Sequence, residues 1–275
     1  MISTQTLFAQ DDPQRGFSVR NSLGGMLNPT GASLSTRVYY TEPLYGEREG
    51  AMWQTARMEI GLSNHLSPAY DDVSIDLFVE PAAVFDFRTN IGVRYAYNTF
   101  GYGYTPVSSY DIDYSDAGSL PSETKTGLFI RLTPRIKLAF GPVVFLNALT
   151  WSYFSFNYGT SKKESTPYFY EPTNDVIIKD NEGLMKNETT LLYRFPVRDE
   201  LTFLSGLNHS IVFVQGSSYT SQKLSAMAAV QLEMEERGLS FDAAVLLGAF
   251  LRNRYYGVDE GYASPALNIG VTKRL

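Results

Sequence analysis

Arg94, Arg131, Arg135 and Lys137 share a property with Arg57, Glu59, Asp76, Glu80 and Asp86: each falls on the polar face of a stretch whose alternate residues are apolar. Charges fixed in a row on one surface can do one of two things. Unpaired cations attract anions and mark a track for small hydrophilic solutes, whereas cations that meet carboxylates pair and cancel. The spacing predicts a basic wall of Arg94, Arg131, Arg135 and Lys137 on adjacent strands. It faces an acidic strand of Asp76, Glu80 and Asp86, with Arg57 and Glu59 on a neighbouring strand.

Other chemistry has little to work with. Cysteine is absent and only two histidines occur, so thiolate metal sites and a disulfide framework are excluded, and no cofactor-binding or metal-binding pattern is present. His65, in "SNHLSP", reads as a loop residue. His209 is followed directly by Ser210, and on a strand consecutive side chains point to opposite faces, which keeps this nucleophile from this base. The acidic "DIDYSD" at 111 to 116 has neither the glycine nor the distant glutamate of a calcium loop and reads as a solvated loop. Aromatic clusters at "GYGY", "YFYEP" and "RYYG" read first as loop-shaping residues, with stacking on sugars or bases and contact with a partner as the alternatives. A formal net charge of -6 argues against nucleic acid as a partner.

The elements that carry these residues are strands. Aromatic residues make up 14% of the chain, with 22 Gly and 13 Pro, a mixture that favours strands and turns over helices. Period-two alternation recurs along the chain. From 73 to 87, Val73, Ile75, Leu77, Val79, Ala83, Phe85 and Phe87 oppose Ser74, Asp76, Glu80 and Asp86. From 127 to 140, Leu128, Ile130, Leu132, Ile136, Leu138 and Phe140 oppose Arg131, Thr133, Arg135 and Lys137. The same pattern holds at 52 to 63, 91 to 99 and 239 to 251. At 143 to 158 the apolar parity switches near Ala148, as a β-bulge would cause, and at 184 to 195 Asn187 interrupts an apolar face.

Short connections are predicted at 88 to 90, 141 to 142, 196 to 200 and 235 to 238. Longer Tyr-rich ones are predicted at 100 to 126, 159 to 182, 215 to 221 and 252 to 261. Strands near 16 to 25 and 32 to 41 bring the count to about twelve, and an even number puts both ends of the chain on the tight-turn side.

Strands of this length, short turns on one side, long loops on the other and an even strand count resemble a Gram-negative outer-membrane β-barrel. The expectation is a single closed antiparallel transmembrane barrel over 16–275, after a leader at 1–15 in which Ala9 would end a signal peptide. A soluble β-sandwich would also alternate, with shorter strands and less regular loop asymmetry.

The resemblance implies a cell-outer-membrane location, lipid around the wall, and a C-terminal strand read by the barrel-assembly machinery. Members of the class commonly end on an aromatic residue, whereas this chain ends on Leu275 with Lys273 two positions before it. Tyr40, Phe85, Phe87, Tyr97, Phe140, Tyr193, Phe195, Phe213 and Phe241 are expected in the interfacial girdles.

The polar parity then faces a lumen, and Arg94, Arg131, Arg135, Lys137, Asp76, Glu80, Arg57 and Glu59 become pore-lining candidates. The function expected first is a channel passing small hydrophilic solutes and favouring anions. A structural or adhesive barrel with a plugged lumen is the alternative, as is a lipid hydrolase similar to outer-membrane phospholipases. Those phospholipases carry a His-x-Ser motif, whereas the residue two after His209 is Ile211.

Overall fold

The computed structural model describes residues 14–27, 31–45, 50–97, 104–110, 122–156, 168–217, 220–252 and 262–275. Its strands are β1 (Gly16–Met26), β2 (Gly31–Pro43), β3 (Arg57–Leu66), β4 (Tyr70–Ala82), β5 (Phe85–Ala96), β6 (Pro106–Val107), β7 (Lys125–Phe140), β8 (Val143–Ser155), β9 (Tyr168–Glu171), β10 (Val176–Lys179), β11 (Glu182–Arg198), β12 (Leu201–Val214), β13 (Thr220–Met234), β14 (Leu239–Arg252) and β15 (Tyr262–Arg274). Twelve of them close into an antiparallel barrel in which β15 pairs with β1; β6, β9 and β10 form a separate three-stranded sheet. The leader expected at 1–15 lies outside the described residues except at its last two positions.

Closure sets the register of the last strand. Leu23 pairs with Ile269 and Ser22 with Gly270, and the Leu275 amide donates to the Phe17 carbonyl at 2.9 Å. Leu267, Ile269 and Val271 therefore face outward, as their parity predicts, and Asn268, Gly270 and Thr272 face the lumen. Lys273 has outward parity but lies at the tight-turn rim, where its ammonium donates to the Arg237 carbonyl, so no charge enters the apolar belt.

The outer face is apolar. Leu62, Ile75 and Leu247 are 63%, 59% and 66% exposed in mid-strand, and similar residues recur around the wall. A continuous apolar belt on a closed sheet fits hydrocarbon and not water, and closure pairs every strand edge as hydrocarbon requires. Aromatic residues mark its borders. Phe17 and Tyr40 meet edge to face at 5.1 Å near the tight-turn rim, where Phe140 and Phe195 also point outward, and Tyr95 and Tyr97 meet at 5.3 Å near the other rim.

Three features differ from the sequence expectation. The stretch from 73 to 87 is two strands joined at Ala83 and Val84, and "RTN" lies inside β5. The turn is hidden because Val79 pairs with Phe87: both arms carry odd-numbered residues outward, so alternation runs through it unbroken. Secondly, loop asymmetry holds only in part. β3 and β4 are joined by three residues on the loop side, while 44 to 56 makes a longer connection on the tight-turn side.

Thirdly, β8 has no bulge at Ala148, since it pairs with β7 and β11 without a register shift. The parity switch arises because Val144 and Leu146 are lumen-facing and join Leu192, Leu204, Met227, Ala229 and Ala244 in an apolar cluster inside the barrel. The turn at 141 to 142 is as predicted, and Gly141 adopts φ 58°, which a glycine accepts without strain.

Candidate functional site

Cross-strand register brings the candidate residues to one side of the lumen. On β2, β3, β4, β5 and β7, Thr41 pairs with Glu59, Arg57 with Glu80, Asp72 with Arg94 and Asp86 with Arg135. All of these point inward. β4 lies beside β5, and β5 beside β7, so Asp76 and Glu80 are part of the same wall as the cations and do not oppose it from across the lumen.

Neighbourhood makes pairing inevitable. Nearest the tight turns, Arg57 meets Glu59 at 2.7 Å and Glu80 at 2.6 Å, Lys137 meets Glu80 at 2.7 Å and Asp86 at 3.2 Å, and Arg135 meets Asp86 at 2.8 Å. In the middle, Arg37 bridges Glu59 and Asp76, Arg88 approaches Asp76 at 3.3 Å, and Asn90 donates to Asp76 at 2.8 Å. Nearer the loops, Asp72 is shared by Arg94 at 2.6 Å and Arg131 at 2.8 Å. The basic track expected from parity is a paired network.

Its members outside the sequence candidates include Asp72, at the start of β4 beside Asp71, and Arg88 and Asn90, in the predicted turn at 88 to 90. Their signal was parity, since Asp72 shares even numbering with Asp76 and Glu80, and Arg88 with Asp86.

Such a network is costly to dehydrate and tolerable only when its geometry is complete. Planar guanidiniums help: Arg37 lies 4.1 Å over the Tyr39 ring and Arg94 3.9 Å over the Tyr70 ring. Gly270 contributes by having no side chain, because a Cβ there would stand 2.6 Å from an Asp242 carboxylate oxygen and 2.7 Å from Arg20, which pair across that space.

Towards the loop end the lumen is covered. The sheet of β6, β9 and β10 buries Phe169, Val176, Ile177 and Ile178 against the lumen-facing Phe129, Phe154, Leu184, Val212 and Val214. Phe169 stacks on Tyr104 at 5.1 Å. The "YFYEP" stretch, read from sequence as loop shaping, is thus the core of a plug.

Its last strand residue, Glu171, is fully buried and accepts from Arg94 at 2.7 Å, from the Thr173 amide at 3.2 Å, and from the Asn174 amide at 2.8 Å. Burial pushes the Glu171 carboxyl up, but the Arg94 guanidinium beside it and these donors outweigh burial and hold it below the usual carboxylate range.

A second tether runs through His65, which lies in β3 and faces the lumen, contrary to the loop placement expected for it. Its Nδ1 is 2.5 Å from Ser35 Oγ, its Nε2 is 3.1 Å from Tyr70 Oη, and Thr173 of the plug donates to Tyr70 at 3.0 Å. His209 faces outward and Ser210 inward, which separates that pair as parity predicted. The "DIDYSD" and "RYYG" stretches lie outside the described residues.

At the tight-turn end the lumen opens into a polar vestibule of about 100 Å³, lined among others by Tyr39, Arg57, Glu59, Glu233, Ser240 and Arg274. Above it, Arg37 and Asp76 are buried against each other within the charged wall.

No protein-family model and no curated protein sequence matches the chain. Solved structures do. An outer membrane channel from Pseudomonas putida F1 aligns over 100% of both chains with a TM-score of 0.52 and 10% identity. The β-domain of the Bordetella autotransporter BrkA aligns over 96% of this chain and 100% of its own, with a TM-score of 0.51 and 10% identity. At such identity the likeness is one of fold. With the closed twelve-stranded sheet and the apolar belt, it defines the class: an outer-membrane β-barrel.

Proposed function

We propose that the protein is an outer-membrane channel for small hydrophilic solutes that rests closed. One observation carries this reading: the element over the lumen is an insertion of two loop segments outside the barrel wall, held to it by the buried Arg94–Glu171 pair. A seal built from a separable sheet can leave while the barrel stays closed on itself. The route would run from the vestibule along the charged wall to the loop end.

The cations on β3, β5 and β7 named above each meet a carboxylate, so anion preference is weaker than free arginines would give. It rests on the partly exposed Arg131 and Arg135, at 23% and 14%. In the same reading, outer-membrane lipid surrounds the belt and the assembly machinery recognises β15, which must find β1 to close the sheet. A permanently sealed barrel is the second reading, favoured by the burial of Arg37, Glu59 and Asp76 below the plug.

Planar-bilayer recordings separate the two. Replacing residues 168–179 by a short Gly/Ser link should convert rare openings into steady conductance. A deletion variant that migrates as a folded barrel on an unboiled gel, yet conducts nothing, would remove the channel function and leave the sealed barrel.

A further inference from the structure

Asn147, Asn187, Thr189 and His209 have outward parity on the adjacent strands β8, β11 and β12, where most other outward residues are apolar. Their register makes them one patch: Thr189 pairs with Asn147 on one side and His209 on the other. Asn147 and Asn187 exchange reciprocal amide hydrogen bonds at 3.2 Å, and Asn147 also donates to the Thr189 hydroxyl at 2.8 Å. On β12 the outward Phe203 and Phe213 lie to either side of His209, which puts the patch within the hydrocarbon span. Asn21 and Thr36 also meet on the outer face, at 2.8 Å, but as a single donor–acceptor couple.

Amides and an imidazole facing acyl chains lose hydration and gain nothing from lipid, whereas polar side chains at one depth in two membrane proteins bond across their interface. We propose that this patch is the centre of a homodimer interface within the membrane, its partner a second copy of this chain. Two features select that partner. A second copy presents the same patch at the same depth. Amide and hydroxyl groups both donate and accept, so a two-fold contact lets each meet its own kind, as an isologous interface requires. Leu191 and Leu207, 49% and 52% exposed beside the patch, supply the apolar surround.

The chain has no cysteine, which makes single-cysteine cross-linking clean. Leu207→Cys should form a disulfide-linked dimer on mild oxidation in native membranes, and Ile75→Cys, an exposed outward position on β4, should not. Adding Asn187→Leu and His209→Leu should reduce the Leu207→Cys dimer tenfold or more. His209→Leu alone breaks none of the bonds named above and gives the same direction without disturbing the wall. Unboiled gel migration confirms that each variant is folded. A Leu207→Cys chain that stays monomeric, or a dimer yield unchanged by His209→Leu and by the double substitution, overturns the proposal.

Discussion

Arg94 on β5 and Glu171 on β9 are 77 positions apart in sequence and 2.7 Å apart in space, and neither has measurable contact with solvent beyond 1%. Arg94 is also bound to Asp72, so one guanidinium joins the barrel wall to the sheet that covers it. In a channel that rests closed, as proposed, this junction is one of the contacts that would hold the sheet in place.

Glu171→Gln keeps the shape of the side chain and removes its charge. The plug should loosen while Arg94 remains paired to Asp72, at a stability cost of about 1 to 3 kcal/mol, below that of stripping a buried ion of every partner. Open probability in planar bilayers should rise with the urea midpoint only modestly lowered; an unchanged open probability would show that the pair does not hold the gate.

Acid should act through the same carboxyl. Because its folded pKa lies below the unfolded value, the tether is fully present above the ordinary glutamate range, near 4.3, and is lost as pH falls through the lower folded value. Conductance should stay flat from neutral pH down to about 4.3 and rise only below it. The Glu171→Gln chain should lack that rise, which stepped-pH recordings can read directly.

Asp72→Asn tests the wall itself. Asp72 serves both Arg94 and Arg131, so its loss leaves two cations with reduced compensation, at a cost of about 3 to 5 kcal/mol. Urea unfolding in lipid vesicles measures it; a loss under about 1 kcal/mol would mean that water reaches the site and screens it.

Selectivity should rest on the partly exposed cations. Arg131→Ser with Arg135→Ser should shift the reversal potential in a salt gradient towards cation preference. An unmoved reversal potential would place the conducting path away from this wall.

The outer belt makes an independent prediction. Leu247→Arg, at an outward position near the middle of β14, should destabilise the barrel by about 2 to 4 kcal/mol. The same substitution at Leu239, beside the tight turn, should cost about 1 kcal/mol or less. Equal costs at the two positions would contradict a membrane span.

The sequence by itself determined the period, and with it most of what a barrel needs. Alternation at Leu267, Ile269 and Val271 assigns an outer face, the even strand number assigns both ends to one rim, and parity assigns Arg94, Arg131, Arg135 and Lys137 to the lumen. These are local properties, since consecutive side chains on a strand must point to opposite faces. Local rules also mislead where two arms of a hairpin share parity, as at Val79 and Phe87, and where apolar residues line the inside, as at Val144 and Leu146.

Only the tertiary structure decided which charges meet. Asp72 beside Arg94 and Arg131, Arg37 between Glu59 and Asp76, and Glu171 reaching Arg94 from a loop all depend on strand order, register and the folding of an insertion into the mouth. Parity fixes the direction of a side chain and carries no information about its neighbour across the sheet. The difference between a basic track and a closed, paired network lies in that neighbour, because a charge acts on solutes only to the extent that no partner already satisfies it.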